Sequence, residues 1–381
     1  MIIGGAQENT LLTVEGLCQK SNYEVTLITG PEKGPEGDLL DQLQTNPSFQ
    51  LIIEPSLRRN IHPIRDVVAC LKLFFLFRRS HFDIVHTHSS KAGVLARLAA
   101  HGARVPVVIH TIHGLPFYPY QNKMINLLYR ILERWAARWT DRIITVADAM
   151  RDQAVQAKVA PLEKFTTIRS GMNLNPFLRR DYDVTKIRSR LGIGPQDCVI
   201  GKIARLFHLK GHEYLIEAAQ KVVAQFPEVK FLLVGDGILK ESLIEKIKMG
   251  NLERNFIFTG LVQPEEIPQL ISAMDLVVHV SLREGLAKVL PQALASGKPV
   301  ISFDIDGARE VVQEGINGFL IPPCDTLSLS EAMIKFLKDA DLSHKMGQKG
   351  MKFVDPYFRK EYMVEQIEAL YSKLLTLNLK L

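Results

Sequence analysis

Residues 198–237 read CVIGKIARLFHLKGHEYLIEAAQKVVAQFPEVKFLLVGDG. The run Cys198–Ala204 is apolar and ends in a polar loop. His212–Gln225 then carries apolar side chains at helical spacing. Val229–Val234 is a second apolar run, stopped by Gly235-Asp236-Gly237. Short apolar runs closed by turn residues read as buried strands, and the helix between them is the crossover that a parallel pair requires.

The same alternation extends outward from this unit. Downstream, Phe256–Thr259, Leu276–Val280 and Pro299–Phe303 read as strands. They alternate with helices at Leu239–Lys248, Glu265–Ala273 and Leu286–Ala295. Upstream, Tyr23–Thr29, Phe49–Ile53, Asp83–His86, Val105–Thr111 and Arg142–Val146 read as strands. Helices are expected at Glu8–Gln19, Pro63–Arg79, Ala92–Ala100 and Lys123–Trp139. Strands alternating with helices predict an α/β protein whose parallel sheets are covered on both faces.

A chain of 381 residues suits two domains, or one unusually large one. The segment from Ser170 to Gly194 holds Asn173, Asn175, Pro176 and a run of charges but no clear strand, so the boundary is expected there. The expected division is a first lobe over 1–172, a linker over 173–194 and a second lobe over 195–360. The amphipathic stretch 361–381 is expected to pack back on the first lobe. A Rossmann-like lobe opens with a strand that delivers its glycine loop. Here Gly4-Gly5 arrives after three residues, so the first strand is expected to be largely missing, as from a truncated start.

Composition narrows the function classes. Hydrophobic residues make up 46% and charged ones 23%, which fits an ordered globular protein. The four cysteines, Cys18, Cys70, Cys198 and Cys324, lie far apart. That argues against a zinc ribbon or a disulfide framework and fits a reducing, cytoplasmic setting. The longest apolar stretch, Val67–Phe77, is interrupted by Lys72 and falls short of the about 20 residues that span a bilayer. The net charge is +6, and between residues 58 and 142 there are 14 basic side chains against 4 acidic ones. Such a field attracts anionic surfaces. The helix Met124–Trp139 sets Arg130, Arg134 and Arg138 along one face, with Leu127, Leu128, Ile131, Leu132, Trp135 and Trp139 on the rest. Leu73–Arg79 (LFFLFRR) again places aromatics beside arginines. Basic amphipathic helices dock on membrane interfaces, so the inner face of the cytoplasmic membrane is an expected partner. A solvated basic face over a buried apolar stripe is the alternative. Nucleic acid is not expected, because no recognised binding module is present.

Several strand ends carry candidate chemistry. Glu284–Val300 reads EGLAKVLPQALASGKPV, a strand end followed by a helix expected to start just after Gly285. Amides of Leu286, Ala287, Lys288 and Val289 at that helix start can hold an anion. Glu284 can accept from sugar hydroxyls. In Ile203–Gly211 (IARLFHLKG), Arg205 stands at a strand end and Lys210 before a helix. Two such cations stabilise a departing diphosphate without a metal. Gly4-Gly5 before a helix lets the backbone approach a phosphate closely. His86, His88, His110 and His113 gather at strand ends. No carboxylate stands at ligand spacing beside them, so they read as a polar lining and no metal site is expected. Asp304-Ile305-Asp306 reads as a strand-end turn.

Taken together, GGAQENTLL (4–12), VHTHSSKAG (85–93), IHTIHG (109–114), IARLFHLKG (203–211), LLVGDG (232–237) and REGLAKVLPQALASGKPVISFD (283–304) resemble family 4 of the retaining glycosyltransferases, in the GT-B superfamily. The similarity covers nearly the whole chain, in order. It is nearest to bacterial members that build capsular, exopolysaccharide or glycolipid sugars. The resemblance implies two Rossmann-like lobes with parallel sheets facing across a cleft. It implies metal-independent transfer, with no cofactor, from a UDP- or GDP-linked sugar to a glycan or lipid-linked hydroxyl, with retention at the anomeric carbon. It assigns Arg205 and Lys210 to the diphosphate and Glu284 to the donor sugar. His113 falls near the reacting centre and Gly5 beside the phosphates. In the family the leaving phosphate helps to deprotonate the acceptor. One departure is Gln292, which stands where the family's second glutamate holds the donor ribose. An amide loses the charge-assisted bond, roughly twice as strong as a neutral one. The other departure is the missing opening strand. A nucleotide-sugar epimerase and a non-catalytic nucleotide-sugar-binding homologue share the same diphosphate pair and stay open at this point.

Overall fold

The computed structural model describes residues 4–31 and 48–378. The expected remnant of an opening strand at residues 1–3 lies outside them, as do residues 379–381. The chain divides into two compact units, Met1–Met172 with Arg359–Leu381, and Asn173–Phe358. The segment 173–194, read as a linker, carries helices Asn175–Leu178 and Val184–Arg190 and belongs to the second unit.

In the first unit, β1 (Thr26–Thr29) pairs with β2 (Gln50–Ile53). A separate sheet runs β3 (Ile84–His88), β4 (Val107–Ile112), β5 (Arg142–Thr145) and β6 (Phe165–Thr167). All these pairs are parallel. Every residue of β4 is buried, which explains its run of valine and isoleucine. The helix Lys360–Asn378 belongs to this unit. Its Met363, Val364, Ile367, Leu370, Tyr371 and Leu374 share a core with Leu17, Val107, Ile109 and Ile144. Behind β3 and β4, helix Ser90–Gly102 meets helix Lys123–Ala137 through an enclosed ion pair. Arg97 is fully buried, and its Nη2 donates to Glu133 Oε2 at 2.9 Å.

The second unit is one six-stranded parallel sheet. Its strands are β7 (Val199–Ile203), β8 (Lys230–Val234), β9 (Phe256–Gly260), β10 (Leu276–His279), β11 (Val300–Phe303) and β12 (Gly318–Ile321). Their spatial order is β12-β11-β10-β7-β8-β9. This is the doubly wound order, with its reversal between β7 and β10. The sheet is packed tightly enough that a Cβ on Gly201 would fall 1.9 Å from Met274 Sδ.

The helix expected from Leu286 begins instead at Val289 and ends at Ala295. Pro291 supplies the reason. It has no N–H to donate, so it is tolerated in the first turn and not deeper. A start at Leu286 would have buried it inside the helix.

Candidate active site

The reversal between β7 and β10 opens a crevice at the carboxyl ends of those strands, where open α/β sheets bind ligands. The chain leaving β7 is held there by backbone contacts. Leu206 N donates to Asp236 O at 2.9 Å, and Leu282 N donates to Leu209 O at 2.8 Å. Two glycines make the fit possible. Gly235 has φ 135°, and a Cβ there would lie 2.3 Å from Ala204 O. Gly211 has φ 69°, and a Cβ there would lie 1.8 Å from Val280 O. Only a residue without a side chain takes that conformation at that distance.

So held, Lys210 forms an ion pair with Glu284, which follows β10. Glu284 is fixed from behind by its own amide, which donates to Asp306 Oδ2 at 2.8 Å. Burial pushes the Glu284 carboxyl up, but Lys210 outweighs it and holds the group below the usual carboxylate range. Arg205 is exposed in the same loop, its guanidinium 5.2 Å from the centre of the Phe207 ring. Leu286 and Ala287 are buried in the turn after Glu284, and Val289 opens the short helix that carries Gln292. The expected donor-side residues Arg205, Lys210, Glu284, Leu286, Ala287, Val289 and Gln292 thus all belong to the two strand-to-helix connections at the reversal, or to the short helix after β10. The Asp304-Ile305-Asp306 carboxylates are committed locally, Asp304 to Arg309 and Asp306 to the Glu284 amide.

Three buried titratable groups that feel the charge of Lys210 were not anticipated. Lys202 on β7 is 1% exposed, and its Nζ has no hydrogen-bond partner. Burial, reinforced by Lys210, pushes its ammonium down to about 7. His279 ends β10, with Nε2 4.0 Å from Glu284 Oε1, and burial lowers it to about 3. His212 opens the next helix and is lowered by burial to about 2. Both imidazoles are therefore neutral at physiological pH. A lysine inside the apolar run CVIGKIA was the signal available in the sequence.

In the first unit, His86 and His88 lie on β3, His110 on β4 and His113 just after it, and each is hydrogen-bonded. His88 Nδ1 lies 2.9 Å from His113 Nε2, with the rings stacked at 5.2 Å. His86 bridges Tyr371 Oη at 2.6 Å and Thr111 Oγ1 at 2.7 Å. His110 Nδ1 meets Thr87 Oγ1 at 2.8 Å. Burial holds His86 and His110 well below the usual imidazole value and His88 at about 4. Gly4 caps the helix Gly5–Cys18, and its carbonyl accepts from Glu8 N at 2.9 Å.

The basic helix differs from expectation. Arg134 Nε donates to Lys158 O at 2.7 Å, and Arg130 Nη2 reaches Ala157 O at 3.5 Å. Both cations cap the carbonyl end of helix Asp148–Gln156, which favours positive charge. Arg138 is exposed. The helix buries Glu133, Ala136 and Ala137 instead of its leucines. Met124, Leu127, Leu128, Ile131 and Trp135 are left exposed, with Met124 at 73%. The outward stripe is therefore apolar, and two of the three arginines serve the fold. Among the described residues, no helix is long and apolar enough to cross a membrane.

Residues 3–175 match the family described as Glycosyltransferase Family 4, and residues 183–353 match Glycosyl transferases group 1. The chain is 31% identical over 373 residues to the UDP-Gal:alpha-D-GlcNAc-diphosphoundecaprenol alpha-1,3-galactosyltransferase of Escherichia coli, covering 97% of this chain and 94% of that one. It is 25% identical to the capsular polysaccharide biosynthesis glycosyltransferase CapM of Staphylococcus aureus, covering 84% of each. Among solved structures, HepE of Anabaena in complex with UDP-glucose superposes with a TM-score of 0.82 at 23% identity, covering 97% of each chain. That last likeness is one of fold.

Proposed function

Because the chain belongs to family 4 of the glycosyltransferases and has their two-lobed GT-B architecture, we propose that it moves a sugar from a nucleoside-diphosphate sugar to a hydroxyl acceptor with retention, in bacterial polysaccharide or glycolipid synthesis. One observation carries this reading. Lys210 and Arg205 follow β7, and Glu284 follows β10, on either side of the point where the strand order reverses.

In the transfer step the bond between the anomeric carbon and the diphosphate oxygen breaks, and its electron pair leaves on the phosphate. The acceptor oxygen forms the new bond on the same face, and its proton passes to the departing phosphate. Arg205 and Lys210 stabilise the charge that grows there, which gives the reaction no need of a metal. Amides of Leu286, Ala287 and Val289 add donors. Glu284 accepts from a sugar hydroxyl, and Gln292 from a ribose hydroxyl. His113 is assigned near the reacting centre, and Gly4-Gly5 beside the phosphates. The names of the E. coli relative and of the HepE complex support UDP as the nucleotide and a lipid-linked diphosphate sugar as the acceptor.

The test is to offer UDP- and GDP-sugars with and without lipid-linked acceptors, following nucleotide release by mass spectrometry and product configuration by NMR. Transfer with retention from one donor is expected. An altered sugar and free nucleotide without any acceptor would mark an epimerase instead.

The same reading includes docking on an anionic membrane, through the exposed apolar stripe with Arg138 and Lys123 at its ends. Burying a leucine or isoleucine is worth about 1.5–3 kcal/mol, so even partial insertion of three such side chains exceeds a tenfold effect. The triple change Leu127→Ser, Leu128→Ser and Ile131→Ser is expected to weaken flotation on phosphatidylglycerol vesicles about tenfold or more. Unchanged flotation would remove the membrane from the account.

A further inference from the structure

We propose that Lys202 is a buried third cation of the diphosphate site, which takes up a proton when a nucleoside diphosphate docks on Lys210, so that donor binding is coupled to protonation. The inference rests on the diphosphate reading above and adds a positioning residue to it. Lys202 is enclosed and touches no substrate. It acts through the charges of Lys210 and Glu284, both of which reach it.

The geometry sets up the coupling. Lys202 is the penultimate residue of β7, on the same side of the sheet as the core residue Ile200. It is 1% exposed, and its Nζ has no hydrogen-bond partner. A buried ammonium without a partner is costly, and the usual relief is loss of the proton. The charged and titratable groups that act on it come from each element around it. Lys210 and Glu284 come from the two loops at the reversal, and Glu213 and His212 from the first turn of the following helix. His279 comes from the end of β10. In the empty site Lys210 is already spent on Glu284. Only Glu213 is left to favour a second ammonium, burial outweighs it, and Lys202 sits near 7 instead of 10.5. A diphosphate brings several negative charges and draws on Lys210. The surroundings of Lys202 then become more negative, and its proton affinity rises. His212 and His279, at about 2 and about 3, lie too low to compete for that proton near neutrality.

The coupling makes two measurable quantities move in opposite directions. The folded empty protein binds fewer protons at Lys202 than the unfolded chain does between about 7 and 10.5. Stability therefore rises with pH across that window. Donor affinity falls across it, by up to tenfold per pH unit at the steepest point. Lys202→Met removes both slopes. It is expected to raise the thermal midpoint of the empty protein, because an unpaired buried amine is replaced by an apolar chain of similar length. It is expected to weaken nucleotide binding at the same time. A residue with only a packing role would shift stability and leave the pH profile of binding alone.

The experiment is calorimetric titration of the full chain with UDP, and with GDP as the second probe. It is run above about pH 7.5, where the terminal phosphate has lost its second proton. Two buffers of different ionisation enthalpy, HEPES and Tris, report the protons exchanged. The wild type is expected to take up a large part of one proton near pH 8. Lys202→Met is expected to bind more weakly with no uptake, and Lys202→Arg, which cannot release its proton, to bind without uptake. Nucleotide binding without proton uptake, or uptake that persists in Lys202→Met, overturns the proposal. If Lys210→Ala still weakens UDP in that case, the diphosphate reading survives. If neither UDP nor GDP binds the wild type, or if Lys210→Ala binds as tightly as the wild type, both fall.

Discussion

Lys210→Ala is expected to lower the turnover of sugar transfer about 10²–10³-fold, the loss seen when one preorganised electrostatic donor is removed from a developing charge. The physical case is the difference between ground and transition states. The diphosphate gains charge as the sugar bond breaks, so a cation fixed beside it contributes more at the transition state than on binding. The fall should therefore appear mainly in kcat and less in KM. Folding should be retained, since the Lys210 and Glu284 side chains remain 21% and 25% accessible and the pair is not part of the core. Glu284→Ala should behave likewise, through loss of the sugar contact. Steady-state kinetics and a thermal melt on each variant decide the matter. Wild-type turnover in both would remove these residues from the site.

Glu133→Ala is expected to destabilise the first unit by about 3–5 kcal/mol, because it leaves the Arg97 guanidinium buried and unpaired. Arg97 is enclosed. Besides Glu133 it has Gly93 O as an acceptor, 3.0 Å from Nε. Removing the charge at both ends gives the opposite outcome. Arg97→Met with Glu133→Leu should be close to neutral or stabilising, since apolar residues of similar volume often replace a buried pair without loss. Denaturant unfolding of the single and double variants measures both. A single variant as stable as the wild type would show that the pair is not the clamp described. The consequence reaches the surface, because the helix held by Glu133 is the one that turns Leu127, Leu128 and Ile131 outward.

That helix also shows what was legible in the sequence. The spacing of its arginines and leucines established two faces, but periodicity does not say which face is buried. The choice was made by Glu133, Ala136 and Ala137 packing inward and by Arg130 and Arg134 finding the carbonyl end of a neighbouring helix. Both partners are distant in the chain.

The strands and the helices between them were readable where apolar runs met glycines, as at β7 and β8. Their order in the sheet was not, because it is fixed by packing between residues far apart. Three elements near the end of the second unit were not read from the sequence. Asp325 and Asp339 cap the helices Thr326–Lys338 and Ala340–Tyr357 by accepting from Ser328 N and Leu342 N, a cue present in the sequence. The strand Gly318–Ile321 is four residues long and gives almost no pattern. Pro299–Phe303 was read almost to the residue.

At the site, Arg205, Lys210 and Glu284 were legible because charged residues at the ends of apolar runs stand out. Lys202 was overlooked for the converse reason. It lies inside the run, where a charge reads as an interruption, and its meaning depends on what the fold places above it.

The most direct measurement is a crystal of the full chain soaked with UDP. The β-phosphate is expected within hydrogen-bonding reach of Lys210 and Arg205, with the uridine ribose at Gln292. A nucleotide bound elsewhere, with Lys210 and Glu284 still closed on each other, would contradict it.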